Sequence, residues 1–128
     1  MDLLLLLAVL LTPTALAEVP LPSYRDDLAL ATWHVINDQI ENACEASASS
    51  PSLICSEAML DQAITDAHSF QNTLFPDARI EYLIGLAHKY AGRTDQAVIH
   101  FRRAVARDPK RQDAWHDLGE SYLTKGRY

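Results

Sequence analysis

The chain has 128 residues, a formal net charge of −6, and 48% apolar against 22% charged residues, an ordinary globular composition for one small domain. Its acidic balance excludes the strongly basic footprint of a nucleic-acid binder. Charge is unevenly spread: residues 18–77 hold ten acids against one base, Arg25, whereas 78–128 hold six acids against ten bases. The acidic half is therefore expected to dock in part on the basic half, although a solvated helical surface explains the same asymmetry.

Residues 1–17 stand apart. Leu3 to Leu11 form a short apolar run, Thr12-Pro13-Thr14 breaks it, and Ala15-Leu16-Ala17 offers the small-x-small pattern of a signal-peptidase site. The run is about half the roughly 20 apolar residues that a spanning helix needs. The expectation is a signal peptide cleaved after Ala17 and a periplasmic or secreted protein. The n-region holds Asp2 and no Lys or Arg, so an uncleaved N-terminal anchor competes with this reading and is the one route to the membrane.

Residues 18–23 read as a linker, because each proline of Glu18-Val-Pro-Leu-Pro disfavours helix in the residue before it. Ser23 with Asp26 resembles an N-cap and its acidic third residue. Ala29, Trp33, Ile36, Ile40 and Cys44 then recur every three or four residues, one face of an amphipathic helix over 24–46. A Ser-rich loop reaches Pro51, which suits the first turn of a second helix with apolar positions Leu53, Met59, Leu60, Ala63, Ile64, Ala67 and Phe70. Residues 24–77 are thus a helical hairpin. Cys44 in its last turn and Cys55 in its next first turn are candidates for a disulfide at the loop end, with two free thiols as the alternative. The spacing fits neither a metal knuckle nor a C-x-x-C redox pair. Three further helices follow, over 78–91, 95–107 and 112–125, punctuated by Gly92, Asp108-Pro109 and Gly126.

Gly85/Gly92 and Gly119/Gly126 recur 34 residues apart. With Ile84, Ala97, Phe101, Ala104 and Pro109 in the unit 78–111, and Trp115, Leu118 and Tyr122 in the half-unit 112–128, this pattern resembles the tetratricopeptide repeat. Glu81 stands where the family has an aromatic residue, and His88 where it has tyrosine. Asp61-Gln62-Ala63 precedes Asp95-Gln96-Ala97 by the same 34 residues, so the cysteine hairpin reads as a degenerate, cross-linked first repeat. The resemblance implies an all-α stack of antiparallel helix hairpins. It also implies protein or peptide binding in a concave groove lined by first helices. Carried over by position, that groove holds Arg79, Tyr82, Leu86 and Lys89 from one unit and Asp113, His116, Glu120 and Leu123 from the next. Trp115, Leu118 and Tyr122 are also expected to form an uncovered face through which the chain self-associates or docks in an envelope assembly, the alternative role.

No nucleophile–base–acid set, H-E-x-x-H or phosphate loop appears among the five histidines and the remaining residues. The expectation is no enzyme, no cofactor, no metal and no nucleic-acid partner. His88 is expected to be a packed, hydrogen-bonded core histidine, and Arg102, Arg103, Arg107, Lys110 and Arg111 a solvated face.

Overall fold

A computed structural model describes residues 21–46, 53–73 and 75–126. The signal-peptide reading and the Ser-rich loop lie outside the described residues. Among the described residues five helices carry the fold: α1 (Leu21–Ala43), α2 (Glu57–Thr73), α3 (Ala78–Tyr90), α4 (Thr94–Arg107) and α5 (Gln112–Thr124). Between α1 and α2 lies an antiparallel two-stranded ribbon, β1 (Cys44–Ala46) and β2 (Leu53–Cys55). The architecture is all-α, with the ribbon as a short clasp.

The ribbon corrects the placement of the cysteines. They sit in facing strands, not in helical turns, and are joined as a disulfide with Cα atoms 3.9 Å apart. Ser56 N–H donates to the Ala43 carbonyl at 2.7 Å, so Cys44 and Cys55 form a non-hydrogen-bonded cross-strand pair, the kind whose Cα atoms approach most closely. The second helix accordingly starts at Glu57, and Leu53 belongs to the strand. At the other end α1 starts at Leu21, so Ser23 lies inside the helix instead of capping it.

Neighbouring helices pack in sequence, α1 on α2, α2 on α3, α3 on α4 and α4 on α5, with α1 also against α3. Two cores result. The first joins Ala29, Ile36, Ile40 and Ala43 of α1 to Leu60, Ala63, Ala67 and Phe70 of α2 and to Ile80, Leu83, Ile84 and Ala87 of α3. The second joins Ala97, Val98, Phe101, Ala104 and Val105 of α4 to Ala114 and Leu118 of α5. Tyr82 and Leu86 touch both, so α3 is the shared wall. Ala63 and Ala97, 34 residues apart, are both fully buried, which gives α2 and α4 the same role in successive layers.

Gly85 explains the closeness of α3 and α4. A Cβ there would lie 2.6 Å from the Phe101 ring, so only glycine admits that ring between the helices. Gly119, its counterpart one repeat later, meets nothing within 4 Å among the described residues. Gly92 and Gly126 end α3 and α5 at φ of 78° and 70°, the left-handed conformation that a tight helix exit requires.

Candidate functional site

Asp77 opens α3 by accepting from Arg79 N–H at 2.8 Å, and the Arg79 guanidinium reaches Asp77 and, at 3.4 Å, Asp26 of α1. Arg79, expected in the groove, therefore ties α1 to the start of α3. Its neighbours in that set are equally committed. Tyr82 donates its hydroxyl to Asp117 at 2.5 Å beneath the Arg111 guanidinium. Lys89 bridges Asp117 and Glu120, 2.9 Å from each. Burial and the bond to Asp117 push the Tyr82 phenol far up, so it stays a donor. Burial disfavours the Lys89 ammonium, but its two carboxylate partners outweigh this and raise its pKa.

These contacts divide the expected groove residues. Tyr82, Lys89 and Glu120 form a network, completed by Asp117, that fixes the angle between α3 and α5. Asp113 takes the Arg111 guanidinium at 2.6 Å. His116 and Leu123 remain exposed on α5, and Leu86 lines a hollow of about 250 Å³ between α1 and α3. Asn37, Ile40, Glu41, Cys44 and Tyr90 line it too. The residues of this hollow that the repeat phase did not supply include Asn37, Ile40, Glu41 and Tyr90. Asn37, Ile40 and Glu41 come from α1, whose displaced phase hides them from a 34-residue comparison. Asp117 was also missed, because its carboxylate finds partners only across the repeat boundary.

The uncovered face of α5 is smaller than expected. Leu118 is buried against α4, Tyr122 packs on the second core, and Trp115, half exposed, donates its indole N–H to the Pro109 carbonyl. Trp115 and Leu123 are what remains open.

A buried polar cluster lies on the other side of α3. Glu81, in the aromatic position of the repeat, is 4% exposed and accepts from His100 Nδ1 at 2.6 Å and Gln71 at 2.9 Å. His88 stacks on His100 with centroids 5.3 Å apart, and His68 meets His100 edge-on at 5.6 Å. Burial opposes the Glu81 charge, but the His100 and Gln71 bonds hold its pKa below the usual value. Burial, then the nearby His100, pushes His88 down to about 4. His88 is packed as expected, but its buried Nδ1 has no hydrogen-bond partner, which corrects the expectation of a hydrogen-bonded histidine. Among the described residues no three His, Cys, Asp or Glu side chains are grouped to hold a metal ion, and no helix is long and apolar enough to cross a membrane.

The sequence of residues 77–121 matches the tetratricopeptide repeat family. A stretch of 44 residues, 34% of this chain, is 46% identical to mouse Superkiller complex protein 3 and 43% identical to its human counterpart. The chain spans only 3% of the length of those relatives. No solved structure matches it significantly. Residues 77–121 fall on the helices that the 34-residue period defines, and the buried Ile84, Gly85, Ala97, Phe101 and Ala104 are the positions that the repeat demands. Residues 77–121 are thus similar to the tetratricopeptide repeat, a unit of protein-interaction scaffolds.

Proposed function

We propose that the protein is an exported scaffold that captures a peptide segment of a partner protein in the groove between α1, α3 and α5. The observation that carries this is the hollow between α1 and α3, with Ile40 and Leu86 on its floor and Glu41, Asn37 and Tyr90 at its rim. An apolar floor with a few polar rim groups suits one inserted side chain held by its flanking backbone. Tyr82 and Lys89 serve as the rigid wall, held through Asp117. Scaffolding without catalysis is the role that this family reading supports.

Export rests on the signal-like residues 1–17 and agrees with the Cys44–Cys55 bond, which persists in oxidising compartments. The periplasm or the extracellular medium is the place proposed.

The test uses Glu41→Lys with Tyr90→Ala, two exposed positions that neither core needs. The double variant keeps the melting temperature of the parent and recovers its partner at least about tenfold less well, a loss of about 1.4 kcal/mol. Unchanged recovery by a folded variant contradicts the groove.

A further inference from the structure

Charge is segregated on this surface in a way that the fold does not use. Among the described residues three ion pairs join the acidic half to the basic half, Arg79–Asp26, Arg79–Asp77 and Arg93–Asp61. Among the described residues, Asp27 and Asp38 on α1 have no side-chain partner, and neither do Arg102 and Arg107 on α4 or Lys110 just after it. The acids share an outward stripe of α1 with His34 and Glu41, flanked by the exposed Leu30 and Val35. The bases lie across the broad outward face of α4 and just beyond its end, where Ile99, Arg102, Arg103 and Ala106 line a shallow hollow of about 330 Å³ and Arg103 stands 3.8 Å from Glu81. Helix α1 packs on α2 and α3, and α4 packs on α3 and α5, so neither stripe meets the other within one copy.

We propose that the chain self-associates through these two stripes, the acidic α1 face of one copy docking on the basic α4 face of a second. Arg102, Arg107 and Lys110 face Asp27 and Asp38 across the contact, and Leu30 supplies the apolar contact to the Ile99 hollow. A second copy fits this face better than a phosphate polymer does. The stripe is interrupted by apolar Ile99 and Ala106, is bounded by Asp95 and Asp108, and belongs to a chain of net charge −6. The contact joins two different surfaces, so each copy offers one of each. One helix face against another falls short of the roughly 1,200 Å² that stable complexes bury, so the association is weak and driven by exposed charge. Screening at high ionic strength therefore dissolves it.

Sedimentation velocity at submillimolar concentration tests this on the full chain in about 20 mM and about 0.5 M salt. The expected result is a weight-average mass above the monomer in low salt and a monomer in high salt. Arg102→Glu with Arg107→Glu, and separately Asp27→Lys with Asp38→Lys, should each give monomers of unchanged helicity at both salts. An equimolar mixture of the two variants should associate again, because each then matches the other. A monomeric parent in low salt, association that survives either charge reversal, or a mixture that stays monomeric overturns the proposal. So does binding of the α4 stripe to anionic vesicles or single-stranded DNA without self-association.

Discussion

The imidazole of His88 is buried between α3 and α4 with an unpartnered Nδ1. Its ordinary pKa of 6.5 falls to about 4 on folding, so the unfolded chain takes up the proton first. Stability is thus unaffected by this group above pH 6.5 and declines as pH drops from 6.5 toward 4. His68, lowered by burial and then by the nearby His100, adds a decline of the same sign. Thermal melts at pH 7 and pH 5 should show a fall of several degrees in the melting temperature. His88→Phe should raise stability at pH 7 by about 1 kcal/mol by removing an unpaired polar atom, and flatten that pH response. A variant with an undiminished pH response would assign the effect elsewhere. The buried position of His88 was legible in the repeat phase. Its missing partner was not, because that depends on Glu81 having taken His100, a contact 19 residues away.

The two repeat-related glycines separate a packing role from a pattern. Gly85→Ala drives a methyl group into the Phe101 ring and should cost about 1–3 kcal/mol, read from urea denaturation. Gly119→Ala meets open space and should stabilise α5 by about 0.5–1 kcal/mol through helix propensity. Equal effects at both sites would contradict the account of α3 and α4. The cysteine clasp has its own consequence. Closing the 44–55 loop restricts the unfolded chain by about 3 kcal/mol in the chain-entropy estimate, so reduction should lower the melting temperature by about 10 °C or more. An unchanged melt after full reduction would show that the ribbon adds nothing. Helices α3 to α5 were readable almost to the residue because glycine, proline and the 34-residue period agree there. The ribbon was not, since three-residue strands are too short to show alternation and their pairing depends on the cross-link.

Across the whole molecule, α3 acts as the common wall of two cores, and its Leu86 and Tyr90 line the hollow against α1. The repeat phase could not say that Tyr82 and Lys89 would be held by Asp117, because ion pairing across helices leaves no trace in spacing. It also missed the α1 side of the hollow, where the phase is displaced. Thiol trapping of the protein in intact cells bears on export: alkylation without prior reduction should leave Cys44 and Cys55 unlabelled, and full labelling would contradict an oxidising compartment. The most direct measurement of the central claim is site-specific photo-crosslinking in the cells that make the protein. One photoreactive side chain replaces Tyr90 at the hollow, and another replaces Thr65 on the exposed side of α2. Adducts with another protein from position 90 and none from position 65 are the predicted result. Adducts from position 65 alone, or equally from both, would contradict capture in the groove.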